Sequence, residues 1–166
     1  IARLTSRRGA LTSSLEIKVP RDDMGEKREV ELLLGAGGDI RGKLVCDFEA
    51  VLAKLRDFDA HPAYSRLSLE IKAYENALVI KRRSSSGEIE KYMCIAVSAP
   101  SEFYCGGERG RVRPLMPGKK YCAPEPPVTI ETPVCVGRSA VKIKYAVAAA
   151  KSVGRLFAPK RSARTI

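Results

Sequence analysis

Apolar and polar residues alternate with a period of two along much of the chain. Leu15, Ile17 and Val19 alternate with Glu16 and Lys18, which is typical of a strand that buries one face. The same alternation occurs over 30–34, 40–47, 67–72, 78–80, 89–97 and 128–136. The pattern predicts a strand in each of these segments, and the last is broken or confined to a sheet edge by Pro133.

Two segments have a helical period instead. Between Asp47, a suitable N-cap, and Asp59, apolar residues recur at i, i+3, i+4, i+7 and i+10, which predicts an amphipathic helix. The residues of this stripe are Phe48, Val51, Leu52, Leu55 and Phe58. A second helix is predicted over 139–157, where Ile143, Val147, Ala150 and Phe157 fall roughly along one face.

The order of these elements is strands, helix, strands, helix. It predicts an α+β fold made of two strands-plus-helix repeats (ββββα twice), with antiparallel sheets and the helices segregated from the sheet face. Leu15-Glu16-Ile17-Lys18 recurs as Leu69-Glu70-Ile71-Lys72, a short repeat that agrees with a duplication. We therefore expect one domain over 15–158, with repeats over about 15–62 and 65–158.

Three segments lie outside the repeated plan. Residues 100–127 contain six prolines and four glycines, so we expect a long excursion from the repeated fold there. Basic segments over 1–14 and 159–166 are expected to be an arm and a tail. The acid-free stretch Ile1 to Leu15, with Arg3, Arg7 and Arg8, is similar to an organellar presequence or its remnant, and a plain basic arm fits equally.

The charge balance points to a polyanionic partner. The 166 residues contain 30 Lys and Arg against 19 Asp and Glu, a net charge of +11, and such an excess attracts nucleic acid or an anionic surface. No apolar run reaches the roughly 18 residues that a membrane span needs, so we expect no membrane partner. We also expect no small-molecule substrate.

The basic residues are concentrated in strands and loops, whereas the first predicted helix is acidic. If neighbouring strands direct their lysines to one outer sheet face, they form a positive platform for phosphates; the alternative is that each is an ordinary solubility residue. The candidate RNA-binding residues are Arg7, Arg8, Lys18, Arg41, Lys43, Lys72, Lys81, Arg82, Arg83, Lys91, Arg109, Arg111, Arg113, Lys119 and Lys120.

Aromatic residues are scarce, at 6% of the chain with no Trp. Recognition by stacking of bases on aromatic rings has few side chains to draw on. We therefore expect contacts with the phosphate backbone, with exposed bases and strong salt dependence.

Nothing in the sequence predicts catalysis, a metal site or a cofactor. The five cysteines lack short metal-binding spacing, and His61 is the one histidine, so reduced buried thiols in a reducing compartment are expected. The carboxylates have no partner arranged for acid–base chemistry. The run Gly35 to Asp39 lacks the Gly-Lys-Ser/Thr of a phosphate loop, and a turn is predicted there.

The order of segments over nearly the whole chain resembles the Whirly family of single-stranded nucleic-acid-binding proteins, which includes the kinetoplastid mitochondrial guide-RNA-binding proteins. In addition, Arg8-Gly9-Ala10-Leu11 is partly similar to the Lys-Gly-Lys-Ala-Ala-Leu motif of the plant members. The resemblance implies a homo- or hetero-tetramer with a related subunit, packed through its helices. It further implies that the sheet binds guide RNA or mRNA and anneals guide RNA to pre-mRNA during editing in the mitochondrial matrix.

Three other interpretations remain open from the residues. The chain could be a structural RNA-binding protein of an organellar ribosome or other ribonucleoprotein, a single-stranded DNA-binding protein, or an assembly module whose charge is incidental. The residue types do not distinguish RNA from single-stranded DNA.

Overall fold

Antiparallel pairing of strands dominates the computed structural model, which describes residues 1–21, 25–83, 90–105, 113–122 and 128–150. Two helices of six residues each, α1 (Leu55–Ala60) and α2 (Pro62–Leu67), follow β4. The twelve strands found in these residues are β1 (Ala2–Arg8), β2 (Leu11–Lys18), β3 (Gly25–Leu34), β4 (Ile40–Phe48), β5 (Leu69–Ala73), β6 (Ala77–Arg82), β7 (Lys91–Val97), β8 (Glu102–Cys105), β9 (Arg113–Pro114), β10 (Lys120–Cys122), β11 (Val128–Val136) and β12 (Val141–Ala150).

The strands form two sheets of unequal size. The large sheet has eight strands in the order β1-β2-β3-β12-β7-β6-β5-β10, and the small sheet has four in the order β4-β11-β8-β9. β12, near the C-terminal end of the described chain, pairs with both β3 and β7 and so lies in the middle of the large sheet.

One core holds the two sheets face to face. Ile71, Ile80 and Ile95 of the large sheet and Ile130 of the small sheet are fully buried and belong to the same apolar cluster. Because side chains alternate across a strand, the remaining residues of each strand form the outer face of its sheet. The arrangement is a β-sandwich. β1 is exposed at every position, so the β1–β2 hairpin extends beyond the covered part of the large sheet.

A hydrogen-bonded polar group lies inside this core. The hydroxyl of Thr132, which is fully buried, lies 2.8 Å from the Ser101 hydroxyl and 3.4 Å from the Tyr145 hydroxyl. Burial raises the pKa of Tyr145 far above its ordinary value, and a hydrogen bond with Cys46 acts in the same direction. These contacts link β11 of the small sheet to β12 of the large sheet.

The predicted α+β fold is wrong, because the described part of each predicted helix is mostly not helical. Over 47–59 the chain stays extended through Phe48, and α1 begins only at Leu55. Phe48, Ala50 and Leu52 are buried, whereas Leu55 is 72% exposed, so the burial has a period of two where a helical period was predicted. Pairing of β4 with β11 up to Phe48 overrides the helical spacing.

The second predicted helix is the central strand β12. Residues 141–147 alternate strictly between apolar and mostly polar side chains, and Ile143 and Tyr145 are buried between the sheets. The spacing of Ile143, Val147 and Ala150 predicted a helix here, but β-branched and aromatic residues favour a strand. Residues 151–157 of the predicted helix, and the basic tail over 159–166, lie outside the described residues.

Strands are confirmed in all the segments predicted from alternation, with shifted ends. The segment predicted as an N-terminal arm forms β1 and the first half of β2. Arg8-Gly9-Ala10-Leu11, which resembles the plant motif, forms the tight turn between β1 and β2. Gly9 in this turn has a positive φ of 60°, which glycine adopts without steric cost. Within the proline-rich excursion, the described residues form β8, β9 and β10.

Candidate polyanion-binding surface

The outer face of the large sheet carries most of the basic side chains that the strands expose. Its lysines and arginines alternate with the core residues of β1, β2, β3, β12, β6, β5 and β10. These residues are Arg3, Arg7, Lys18, Lys27, Lys142, Lys144, Lys81, Lys72 and Lys120.

A groove of about 490 Å³ opens on this face across β2, β3, β12 and β7. Lys18, Lys27 and Lys144 line it, and we call it the lysine groove. Its floor includes Ala96 and Ala146, which are paired across β7 and β12. Small side chains on the floor and long cationic side chains around it leave room for an extended anionic ligand.

Two of these lysines face one another across neighbouring strands. Lys18 of β2 is the direct register partner of Lys27 of β3, and Lys27 has no ion-pair partner among the described residues. Like charges directly opposite in a sheet repel each other. An anion placed between the two ammonium groups would remove this repulsion.

Carboxylates next to the groove partly neutralise its other cations. Glu16 pairs with Lys18 and lies 2.6 Å from Arg3. Hydrogen bonds from Lys18, which has the larger effect, and from Arg3 hold the pKa of Glu16 below its ordinary value. Lys144 lies 3.5 Å from Glu29. Surface ion pairs of this kind are weak, so a phosphate can compete with the carboxylates for these ammonium groups.

Four other candidates from the sequence share the outer face but have local partners. Lys120 lies 2.8 Å from Glu70, and the Lys72 ammonium lies 5.3 Å from the centre of the Tyr74 ring. Lys81 pairs with Glu90, which raises the pKa of Lys81. Arg7, on the edge strand, donates to the Gly9 carbonyl at 3.3 Å. These residues extend the basic face away from the groove in both directions.

The structure places Arg41 and Lys43 on the other side of the molecule. Both lie on the outer face of the small sheet, because β4 pairs with β11 and not with β3. The Lys43 ammonium lies 2.6 Å from Glu131 and 3.4 Å from Glu102, and these contacts raise the pKa of Lys43. The single platform expected from the sequence is therefore divided between two opposite faces.

Three more candidates, Arg82, Lys91 and Arg8, lie on the side of the large sheet that faces the core. Arg82 and Lys91 are direct register partners at the ends of β6 and β7, in line with core residues. Arg82 donates to the Leu52 carbonyl at 3.4 Å, and its buried Nε has no hydrogen-bond partner. Arg8 has the same orientation on β1, beyond the covered part of the core.

The remaining candidates follow strands or lie outside the described part. Arg83 donates to the Leu67 carbonyl at 2.7 Å and anchors α2 to β6. Lys119 is exposed in the turn before β10. Arg113 belongs to β9; its side chain, and all of Arg109 and Arg111, lie outside the described residues. Each side chain in the run Lys81 to Arg83 thus has a local partner.

Sequence reasoning missed two of the three groove lysines. Lys144 lies within the segment predicted as a helix, although its alternation with Ile143 and Tyr145 was a readable strand signal. Lys27 precedes the segment at Val30 from which the second strand was predicted, and β3 begins earlier, at Gly25. Only Lys18 was both predicted and found in the groove.

Within the described ranges, no three His, Cys, Asp or Glu residues are grouped so that they could hold a metal ion. No helix among the same residues has the length and apolar character to cross a membrane.

Comparison with solved structures identifies a similar fold in part of a polysaccharide lyase. The alignment covers 90% of this chain and 21% of the lyase chain, with a TM-score of 0.54 and 9% sequence identity. This chain therefore spans about a fifth of the length of that protein. A likeness at this identity concerns the fold alone. No family model matches the chain, and no curated protein matches it.

Proposed function

We propose that this protein binds single-stranded RNA by its phosphate backbone at the lysine groove. The observation that carries the proposal is the pairing of Lys18 with Lys27 across two strands, beside the alanines of β12 and β7. Two facing ammonium groups repel each other, and a phosphate between them replaces that repulsion with two attractive contacts.

The rest of the chain supports a backbone-directed mode of binding. The net charge of +11 attracts a polyanion over a distance. Besides its three lysines, two alanines and two glutamates, the groove is lined by Arg28, Val97, Ser98 and Tyr145. Tyr145 is buried in the core, so the groove offers phosphate contacts and little stacking. Bases held in this way face away from the sheet, where a second strand can pair with them.

Fluorescence anisotropy with a labelled single-stranded RNA, at several salt concentrations, tests the proposal. For single strands, the slope of log K against log salt is about −0.7 for each phosphate contact. Replacing Lys18, Lys27 and Lys144 together by Ala should lower the affinity and make the slope shallower by about 2, if each lysine contacts one phosphate.

A matched control removes the same charge elsewhere. Lys54, Arg56 and Arg138 are exposed and lie away from the groove, so their triple Ala variant should bind almost as tightly as the wild type, with nearly the same slope. Equal losses in the two triple variants would show that only the total charge matters and would refute the groove as the site. Affinity independent of salt in the wild type would refute the phosphate mechanism.

Competition in the same assay separates the other polyanions. A DNA strand of the same sequence tests the single-stranded DNA alternative, and heparin tests a general preference for anionic chains. Annealing of guide RNA, a place in a ribonucleoprotein and a mitochondrial location stay predictions, and so does the expectation that the protein is not an enzyme.

A further inference from the structure

Two long strands form open edges in the described structure. β1 ends the large sheet, and β4 ends the small sheet, where it pairs with β11 alone among the described strands. The backbone N–H and C=O groups on the free side of such a strand can pair with another strand. The side chains of the two edges decide which partner each can accept.

The β1 edge is unsuited to a second copy of itself. It carries Arg3, Arg7 and Arg8 and no acidic residue. In an antiparallel pair centred on Thr5, Arg3 would lie opposite Arg7 of the second copy. Like charges directly opposite destabilise a strand pair, so this edge repels another copy of the chain.

The β4 edge has the opposite property, because its charges are self-complementary. Its outer face reads Arg41, Lys43, Val45, Asp47, and Glu49 follows directly after the strand. In an antiparallel pair centred on Val45, Lys43 lies opposite Asp47 of the second copy, and Arg41 lies opposite Glu49. A two-fold axis through the centre makes each of these contacts twice.

Exposure and local hydrogen bonds agree with this arrangement. Val45, at the centre, is 52% exposed, and pairing would place the two Val45 side chains against each other. Thr129 donates to the Asp47 carboxylate at 2.6 Å, and Glu131 holds the Lys43 ammonium at 2.6 Å. These bonds keep both charged side chains on the outer face of the small sheet, where the second copy would meet them.

The charge of the whole small-sheet face also permits the approach of a second copy. Its described strands carry Arg41 and Lys43 against Asp47, Glu102 and Glu131. On a chain of net charge +11, this face has roughly balanced charge, so two copies meet here with the least repulsion.

We propose that β4 is a dimer interface, at which it pairs antiparallel with β4 of a second copy about Val45. The two four-stranded sheets then join into one continuous sheet, and the lysine grooves, on the other sheet, stay open. The proposal does not depend on RNA binding and is tested without RNA.

Charge exchange gives the sharpest test, with sedimentation velocity of the full chain in the high micromolar range as the measurement. The wild type should form dimers. Lys43→Glu alone places two acids opposite each other at both contacts, and Asp47→Lys alone places two lysines there, so each variant should be monomeric. An equimolar mixture restores Lys opposite Asp or Glu at both contacts and should form mixed dimers.

A cross-link tests the register independently, should either charge variant fail to fold. A Cys135→Ser background removes the thiol that is exposed among the described cysteine side chains. In this background Val45→Cys should form a disulfide-linked dimer on mild oxidation, because directly opposite residues are close enough to be bridged. Arg41→Cys is the control and should not cross-link, since it faces Glu49. A monomeric wild type, no rescue in the mixture of folded variants, or equal cross-linking of the two cysteine variants would overturn the proposal.

Discussion

Lys27 and Lys144 line the same groove, yet their immediate neighbours differ in charge. Lys27 faces Lys18 across the strands, whereas Lys144 lies beside Glu29. Glu in place of Lys27 should form a cross-strand ion pair and raise the free energy of unfolding by a few tenths of a kcal/mol. Glu in place of Lys144 should lower it by a similar amount, because it places two acids together. Urea unfolding at low salt measures both.

Both substitutions should nevertheless weaken RNA binding, because each puts a negative charge in the groove. The combination of higher stability with lower affinity in Lys27→Glu is the signature of a residue kept for binding. A loss of stability in Lys27→Glu would contradict the repulsion between Lys18 and Lys27, on which the proposed function rests.

Tyr145 should make the protein sensitive to alkaline pH. Burial raises the pKa of its phenol in the folded state, whereas in the unfolded chain the phenol titrates near its ordinary value of about 10. Above that pH the unfolded chain releases a proton that the folded chain keeps, so the free energy of unfolding falls as pH rises. The free energy of unfolding of the wild type should fall with pH more steeply than that of Tyr145→Phe, by up to about 1.4 kcal/mol per pH unit.

Urea unfolding of the two proteins between pH 9 and 12 measures this difference, and comparison with the phenylalanine variant cancels the contribution of the other tyrosines. Parallel curves for the wild type and Tyr145→Phe would show that the Tyr145 phenol titrates alike in the folded and unfolded chains.

At the scale of elements, the position of a strand in the sheet determines how much the fold depends on it. β12 pairs on both sides, through Ala146 with Lys27 and Ala96, whereas Thr5 of β1 pairs only with Ser14. Proline removes a backbone donor and is tolerated mainly at edges. Ala146→Pro should therefore abolish cooperative folding, while Thr5→Pro should cause only a small loss of stability.

Circular dichroism and urea unfolding distinguish the two proline variants. A folded Ala146→Pro protein would contradict the central position of β12, and equal damage from Thr5→Pro would contradict the marginal role of the exposed hairpin.

The same strand shows how far local sequence can predict an element. Strands that alternate cleanly, such as β2 and β11, were predicted because one covered face requires a period of two. β12 satisfied both the alternation of Val141, Ile143 and Tyr145 and a helical spacing of Ile143, Val147 and Ala150. Only pairing with β3 and β7 decides between these two periods.

At the scale of the whole molecule, the fold separates the charge into two surfaces with different properties. The outer face of the large sheet holds the lysine groove, where cations exceed acids and Lys27 lacks a counter-charge among the described residues. The outer face of the small sheet has nearly balanced charge along an open edge. The first surface is suited to a polyanion and the second to another copy of the chain.

The sequence by itself determined that the chain is basic, that it forms a core and that alternating segments become strands, because these properties depend on composition and on neighbours along the chain. Only the tertiary structure decided which strands share a sheet. Lys18 and Lys43 both alternate with core residues, yet β2 pairs with β3 and β4 pairs with β11, so the two lysines lie on opposite faces. Strand pairing joins residues far apart in sequence, and its register, which no local period encodes, placed Lys27 opposite Lys18.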